Sequence, residues 1–450
     1  MTDLKSPSHP STAVSEASEQ KSPQATIPLK LYAAQCLLLL GVVFYASYGF
    51  ANWLSAQRAP LPEIAFAWEQ HIPFWAWTIV PYWSLNLFYA CSVFVCKDRA
   101  ELQGLIKKLL LAQAIAITCF IVFPLQFTWV KPQATGISGA LFQALAGFDQ
   151  PYNQAPSLHI ILLIIIGHFY YSKFPKILRA VWLVWLGVIA LSVLTTYQHH
   201  FIDIPTGVAV GALILWALPI NSPPIWRASA RSAARHPRLM RYYLFGAANL
   251  LGLACLGGWF LWLLWGALAC LLVAINYGFL GAKGFQKNTD GRMRFAAFTV
   301  FAPYLLGVRI NMAYWLRAVP KAVAITERVW VGSILAQADF DAVLDVCAEY
   351  PCTPTPAHYI FIPLLDMVTP NIDDVRHAAD ALQTQLNVSG KPVLVCCALG
   401  YSRSVAVVVT WLVRHQHCAS LNDAIALVQA VRPQMVLSKP MFNLISQAVL

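Results

Sequence analysis

The sequence predicts a polytopic α-helical membrane protein, with about six core spans plus a two-span hairpin, followed by a C-terminal α/β domain. Two observations lead to this fold class. Hydrophobic residues make up 58% of the 450-residue chain and charged residues only 11%, which is outside the composition of soluble globular proteins. From about residue 325, short β-rich runs alternate with helical segments, the pattern of an α/β domain.

The first 29 residues are rich in Ser, Pro, Thr and Glu. They predict a disordered cytoplasmic tail, because they lack the apolar residues needed for a folded core. The hydrophobic stretches that follow are long enough to cross a bilayer of about 30 Å. The predicted spans are 31–57, 73–96, 109–130, 157–172, 177–197, 201–220 and a closely spaced pair within 242–281.

Basic residues in alternate loops set the predicted orientation, since Lys and Arg stay on the cytoplasmic side. They lie between spans two and three, between spans four and five, and after span six: Lys97, Arg99, Lys107, Lys108, Lys173, Lys176, Arg179, Arg227, Arg231, Arg235, Arg238 and Arg241. The intervening segments 58–72, 131–155 and 198–200 are predicted to be extracytoplasmic. Both termini are then cytoplasmic, which fits a bacterial inner (plasma) membrane and leaves a eukaryotic membrane open.

Segment 295–316 is apolar but contains Arg309 and has basic residues on both sides. It is predicted to be an interfacial or re-entrant stretch, with a ninth span as the alternative. The predicted regions are therefore a tail (1–29), a membrane domain (30–221), a basic loop with a transmembrane hairpin (222–294), an interfacial linker (295–324) and the α/β domain (325–450).

Strands and helices of the α/β domain are predicted from its apolar pattern. The predicted strands are Val329–Val331, Tyr359–Pro363 and Pro392–Cys396. The predicted helices are Ala338–Ala348, Asp373–Leu386, Ser404–His415 and Leu421–Val431.

The most specific motif is VLVCCALGYSRSV at 393–405. A hydrophobic strand ends at a cysteine, five loop residues follow, and Arg403 and Ser404 begin a helix. Backbone N–H groups of such a loop, at a helix N-terminus, bind phosphate and stabilise a thiolate. Cys397 is the predicted nucleophile, Arg403 can grip two phosphate oxygens, and the Ser404 hydroxyl can assist the departing thiolate. The predicted phosphate-binding residues are Ala398, Leu399, Gly400, Tyr401, Ser402 and Arg403.

This motif resembles the dual-specificity branch of the protein tyrosine phosphatase family, whose loop is Cys, five residues, Arg, then Ser or Thr. The resemblance covers about 325–450, including RVWVGS near its start and LNDAIALVQAVRP near its end. It implies an α/β cysteine-phosphatase domain in which Asp366, within HYIFIPLLDMVTPNI, protonates the leaving oxygen. The sequence departs from the family at Cys396, where His usually precedes the nucleophile. A catalytically weak phosphate-binding module therefore stays open as an alternative.

Ionisable residues in the predicted spans form a second motif, because such residues are costly in lipid and by default suggest function. QAPSLHI places His159 at the start of span four, and TTYQHHFIDIPTG places His199 and Asp203 at the start of span six. Four residues apart on a helix, His199 and Asp203 share a face, so the carboxylate can orient the imidazole. One histidine can attack phosphorus while the other protonates the leaving group, and spacing alone leaves the assignment open. His168 and His200 lack such partners and are predicted to be structural.

Residues 30–220 resemble the type 2 phosphatidic acid phosphatase superfamily, and within it the branch that includes sphingomyelin synthase and inositol phosphorylceramide synthase. PSLH matches the Pro-Ser-x-His motif, and QHHFIDIPTG matches the His-x-x-x-Asp motif of that branch. The resemblance implies that His199 is the nucleophile, Asp203 its orienting partner and His159 the acid.

Two departures from the superfamily concern its phosphate contacts. The Arg found six residues before the nucleophile is Val193 here, and only Lys131-Pro132 echoes the upstream Lys and Arg-Pro motif. The missing Arg favours the synthase-like branch.

The sequence thus predicts a membrane phosphatase, a phosphoric monoester hydrolase. An extracytoplasmic histidine site would hydrolyse or transfer lipid phosphates, and a cytoplasmic cysteine site would act as a second phosphatase. The alternative is a membrane phosphotransferase with a phosphate-binding C-terminal module. The predicted partners are membrane lipids and a phosphorylated lipid or protein substrate, and nucleic acid is excluded because the basic residues cluster beside hydrophobic runs. Neither mechanism needs a cofactor or metal ion, and no zinc-ligand spacing is present.

Overall fold

The computed structural model describes residues 27–220, 222–229 and 236–449. The predicted tail up to residue 26 lies outside the described residues, as do Arg231 and Arg235 of the predicted basic loop. The described chain consists of a helical body and a C-terminal α/β domain. The helices of the body are α1 Leu29–Ala56, α2 Ile79–Ser92, α3 Arg99–Val122, α4 Gly136–Ala146, α5 Leu158–Lys173, α6 Lys176–Thr195, α7 Asp203–Ala217, α8 Ile225–Ser229, α9 Pro237–Ala254, α10 Leu263–Ile275 and α11 Phe295–Trp315.

The predicted spans overlap α1, α2, α3, α5, α6 and α7, and the predicted hairpin is formed by α9 and α10. Within the described residues, five helical stretches are long and apolar enough to cross a membrane: 29–56, 99–122, 176–195, 258–285 and 295–315. The helices α5 and α7 are shorter and also apolar. These helices are consistent with a membrane protein.

Helix α3 differs from the predicted third span, 109–130. It begins earlier because the Asp98 side chain accepts a hydrogen bond from the backbone N–H of Glu101 and caps the helix. Lys107 and Lys108, predicted to lie in a loop, are therefore part of α3. The start of the helix predicted from the hydrophobic run was wrong, because the first turns of α3 are polar.

Close packing of α5 against α7 positions one of the candidate sites. Gly207 and Gly211 lie one turn apart on α7, and a Cβ atom at either would approach the Cβ of an isoleucine on α5 to 2.8 Å. Small residues at this spacing let two helices approach closely in a membrane. The starts of α5 and α7 therefore meet, and the backbone N–H of Ser157 donates to the carbonyl of Asp203 at 3.2 Å.

The C-terminal domain is a five-stranded mixed sheet packed against helices. Its strands are β1 Ala322–Ala324, β2 Val329–Ser333, β3 Ala342–Cys347, β4 His358–Leu364 and β5 Val393–Cys397, in the order β1-β2-β5-β3-β4. β1 is antiparallel to β2, and the other neighbours are parallel. The helices are α12 Ile372–Ser389, α13 Arg403–Arg414, α14 Leu421–Val431 and α15 Lys439–Ala448.

The helix predicted over Ala338–Ala348 is wrong. A short 3-10 helix, Ile334–Asp339, is followed there by β3, whose six residues are all buried between β4 and β5. A strand buried on both faces shows no alternation, so its apolar run cannot be told from a helix by spacing. The other predicted strands and helices overlap β2, β4, β5, α12, α13 and α14.

The segment predicted as an interfacial linker contains one continuous helix, α11, of 21 residues. Its first half packs into the core of the helical body through residues such as Val300 and Phe301. Met312 in its last turn, and Leu316 directly after it, contribute to a hydrophobic cluster of the C-terminal domain. The helix therefore joins the two halves by packing against both.

Candidate active sites

The loop after β5 surrounds the Cys397 side chain. β5 ends at Cys397 and α13 begins at Arg403. The backbone N–H of Gly400 points to the Cys397 sulfur at 3.3 Å, and the Ser404 hydroxyl lies 3.4 Å from it. Gly400 has φ +75°, and a Cβ there would clash with the backbone of Gly332 in β2, so this position requires glycine. Two polar groups that can stabilise a thiolate thus converge on Cys397.

Cys396 and Cys397 project to opposite faces of β5, because side chains alternate along a strand. Cys397 packs with the cluster under α13, and Cys396 packs with the cluster that contains Met312 of α11. Burial raises the pKa of Cys396 well above its usual value, so this thiol stays neutral. These features favour Cys397 over its neighbour as the nucleophile.

Two carboxylates hold the guanidinium of Arg403. Its Nη1 and Nη2 donate to the two oxygens of Glu349 at 2.8 and 2.6 Å, and Nη2 lies 3.0 Å from Asp366 Oδ1. Burial alone would raise the pKa of Glu349, but the charge of Arg403 outweighs it and lowers that pKa, so the pair is ionised. Arg403 Nε is buried without a hydrogen-bond partner among the described residues, which leaves one donor for an incoming phosphate. Glu349 was not predicted from the sequence, because no motif marks the loop after β3.

Asp366 lies after β4, beside the predicted phosphate loop, residues 398–403. Its side chain is 49% exposed. Partial desolvation raises the pKa of Asp366 against the pull of Arg403, which favours the protonated form that a general acid needs. The structure thus brings the candidate acid and the candidate nucleophile's loop together.

The histidine motif forms a cluster at the adjoining ends of α5, α6 and α7. His199 Nδ1 lies 3.1 Å from Asp203 Oδ2, which also accepts the backbone N–H of His200 at 3.1 Å. The sequence predicted the contact between His199 and Asp203 from helical spacing. Helix α7 begins only at Asp203, so the contact is made by a turn that precedes the helix.

His159 and His199 line one small cavity of about 50 Å³, together with Asp149 and Tyr82. The His159 ring stacks on Tyr82 with ring centres 4.0 Å apart. Its Nε2 is buried without a hydrogen-bond partner in the described part of the chain. A buried unpaired nitrogen costs about 1–3 kcal/mol, which a bound substrate can recover. Two imidazoles that line one cavity can serve as nucleophile and general acid in phosphoryl transfer.

Glu69 is a fully buried carboxylate that sequence analysis missed. It accepts the backbone N–H of Phe201 at 2.7 Å and lies 3.4 Å from His200 Nδ1, an ion-pair distance without hydrogen-bond geometry. The prediction that His200 lacks a charged partner is therefore wrong. A lone carboxylate within the apolar run FAWEQHIP was the available signal.

Lys131 places a cation near the histidine cluster. Its Nζ donates to Gln198 Oε1 at 3.0 Å, one residue before His199. It is therefore a candidate phosphate ligand in place of the missing arginine. Among the described residues, no group of three or more His, Cys, Asp or Glu side chains is arranged to hold a metal ion.

Two stretches of the chain match the models of known families. Residues 67–217 match the family model of the PAP2 superfamily, and residues 327–448 match that of the dual specificity phosphatase catalytic domain. The chain is therefore a phosphatase, a phosphoric monoester hydrolase. It combines a PAP2-superfamily domain with a dual-specificity phosphatase catalytic domain.

Solved structures similar to the chain include Tk-PTP in its active form and human DUSP28. Tk-PTP is 23% identical, with 29% of this chain and 97% of Tk-PTP covered and a TM-score of 0.26. Human DUSP28 is 22% identical, with 29% of this chain and 94% of DUSP28 covered and a TM-score of 0.27. No curated protein matches the chain in sequence.

Proposed function

We propose that the chain is a bifunctional membrane phosphatase whose two domains, 30–221 and 325–450, act on opposite sides of one bilayer. The histidine site hydrolyses or transfers lipid phosphates at the extracytoplasmic face. The cysteine site hydrolyses phosphomonoesters at the cytoplasmic face. The observation that carries this proposal is that each candidate nucleophile, His199 or Cys397, lies within reach of the groups its chemistry needs.

At the cysteine site, the Cys397 thiolate attacks phosphorus, so that a P–S bond forms as the P–O ester bond breaks. Asp366 transfers its proton to the leaving oxygen. Arg403 and the loop N–H groups hold the non-bridging oxygens, on which negative charge accumulates. Water then attacks the cysteinyl phosphate while the Asp366 carboxylate accepts its proton. The P–S bond breaks, inorganic phosphate is released, and the Ser404 hydroxyl stabilises the departing thiolate.

At the histidine site, Asp203 holds Nδ1 of His199, so that Nε2 can attack phosphorus. His159 protonates the leaving alcohol as the P–O bond breaks. Water or a lipid hydroxyl then takes the phosphoryl group from His199, and His159 accepts the proton of that nucleophile. Lys131 offsets charge on the phosphate oxygens.

Labelling of introduced cysteines is expected to place the two sites on opposite sides of the membrane. Val130, in the loop before α4, is 90% exposed, and Val388, near the end of α12, is 74% exposed. Exposed Cys91 and Cys255 are first replaced by serine. A membrane-impermeant maleimide should label Val130→Cys in intact cells and Val388→Cys only after permeabilisation, because a hydrocarbon core separates the two positions. Labelling of both positions from the same side would overturn the two-sided arrangement.

A further inference from the structure

We propose that the cysteine site acts on the phosphomonoester head group of a lipid in the cytoplasmic leaflet, rather than on a phosphoprotein. This inference rests on the proposed function of Cys397 and specifies the substrate of that site. Two observations support it. The helical body contacts the loops that border the cysteine site, and apolar and basic side chains surround those loops.

Two loops at the rim of the cysteine site are fastened to the helical body. The Tyr277 hydroxyl, just after α10, donates to the carbonyl of Asp366 at 3.2 Å. The hydroxyl of Tyr401, in the phosphate loop, donates to the carbonyl of Trp315, the last residue of α11, at 3.1 Å. Next to Asp366, Leu365 packs against the hydrophobic core of the body. The rim therefore lies against helices on two sides, which restricts the approach of a folded protein.

The end of α11 carries the side chains typical of a bilayer–water interface. Its outward residues are more than half exposed: Leu306, Ile310, Tyr314 and Trp315. The Arg317 guanidinium lies 4.1 Å from the centre of the Tyr314 ring. An apolar face bordered by Tyr, Trp and Arg is typical of a helix that lies at the depth of the head-group layer. Because Trp315 accepts the hydrogen bond from Tyr401, the phosphate loop lies at that depth.

An exposed apolar residue flanks the candidate acid. Met367 directly follows Asp366, and its side chain is 78% exposed. Lys321 and Arg317, which follow α11, supply positive charge that attracts an anionic membrane surface. A lipid held at this depth presents its phosphate to Arg403 and its glycerol or acyl region to Met367.

The test uses full-length His199→Ala protein in nanodiscs, so that only the cysteine site turns over. Phosphatidic acid and a phosphatidylinositol monophosphate are each supplied as a long-chain lipid in the bilayer and as a water-soluble short-chain form, beside a phosphotyrosyl peptide. For at least one head group, the long-chain form should exceed both the short-chain form and the peptide by about 100-fold in kcat/KM, since confinement to the surface raises its effective concentration. This hydrolysis should disappear in the His199→Ala/Cys397→Ser protein.

Equal rates on long-chain and short-chain forms, or faster hydrolysis of the peptide, would overturn the lipid assignment and leave the cysteine mechanism intact. Absence of Cys397-dependent hydrolysis for every substrate would instead overturn the proposed function itself. Met367→Gln, which keeps the size of the side chain and adds no charge, should lower hydrolysis of the bilayer lipid by a larger factor than hydrolysis of a soluble aryl phosphate. Val388→Gln, at a similarly exposed position on α12, is the matched control and should change neither.

The contacts of Lys287 support a second, independent inference. It precedes α11, yet its side chain is 1% exposed and lies within the C-terminal domain. Its Nζ donates to Asp345 Oδ2 at 2.5 Å, to the carbonyl of Cys347 at 2.8 Å and to the carbonyl of Tyr350 at 2.7 Å. The last two carbonyls lie on either side of Glu349, which holds Arg403.

The hairpin that carries Lys287 is packed tightly against the C-terminal domain. Lys287 and Met293 form an antiparallel bridge, and the backbone N–H of Cys352 donates to the carbonyl of Gly291 at 2.9 Å. Gly291 has φ +79°, and a Cβ there would lie 2.8 Å from the Tyr359 ring. The hairpin therefore has little freedom to shift, and Lys287 is held in place.

We infer that Lys287 is a positioning residue for the cysteine site and acts through Glu349. Lys287→Met is expected to lower Cys397-dependent kcat/KM on the order of 10- to 100-fold, mainly by raising KM, because a small displacement of Arg403 weakens its grip on phosphate. A single cooperative unfolding transition of the C-terminal domain, measured on the same protein, reports that this domain is folded. Arg292→Gln, an exposed cation of the same hairpin, is the matched control and should match wild type.

A double-variant cycle separates positioning from a general loss of structure. If Lys287 acts through Glu349, the Lys287→Met/Glu349→Gln protein should be no slower than Glu349→Gln alone. Losses that multiply in the double variant would overturn the inference, as would wild-type KM in Lys287→Met.

Discussion

Replacing Cys397 with serine is expected to lower hydrolysis of a soluble aryl phosphate by the full-length protein by about 10⁴-fold or more. Serine keeps the position and size of the side chain but is not a thiolate at neutral pH, so no cysteinyl phosphate can form. Cys396→Ala is the control and should retain activity, because that thiol is buried on the other face of β5. Cys396→His, which restores the residue usual in the family, should preserve or raise activity. The measurement is release of the aryl alcohol by His199→Ala protein that carries each change.

The outcomes at Cys396 and Cys397 distinguish the two functions that the sequence left open. Loss of activity in Cys396→Ala but not in Cys397→Ser would show that the nucleophile was assigned wrongly. If the parent protein bound phosphate but showed no Cys397-dependent turnover, the C-terminal domain would be the phosphate-binding module of the alternative hypothesis.

His199→Ala is expected to reduce turnover of a lipid phosphate at the extracytoplasmic face by at least about a thousandfold, as removal of a covalent nucleophile does. It should leave Cys397-dependent hydrolysis of the aryl phosphate intact. The two sites are expected to lie on opposite sides of a hydrocarbon core of about 30 Å, so no single phosphate can touch both. The assay supplies long-chain lipid from the outer face of oriented vesicles, in a Cys397→Ser background. His168→Ala, which removes a histidine predicted to be structural, should retain turnover.

Loss of both activities in a well-folded His199→Ala protein would contradict the independence of the two sites. Contacts between the two halves make this a demanding test, since Tyr277 and Lys287 join the helical body to the cysteine site. Neither contact involves His199. We therefore expect these contacts to position the cysteine site without transmitting the state of the histidine site.

The sequence predicted the approximate positions of helices and strands where the pattern lies in neighbouring residues. The predicted spans overlap helices of the body, and the phosphate loop runs from β5 into α13 as its motif predicts. It failed at β3, because a strand buried on both faces has no alternation to read. It also misplaced the start of α3, because a polar cap rather than hydrophobicity sets that end.

The sequence by itself determined the two motifs that carry the candidate nucleophiles, and the phosphatase families that these motifs resemble, because each motif is contiguous in the chain. Cys397 and Ser404 are in contact across one loop, and Arg403 precedes Ser404 at the start of α13. His199 contacts Asp203 within one turn. Only the tertiary structure decided which distant residues hold the side chains of the cysteine site in place. Glu349 lies 54 residues from Arg403, and Lys287 lies 58 residues from Asp345. Such pairs leave no periodic or spaced pattern in a single sequence, since their contacts depend on how strands, hairpins and membrane helices pack.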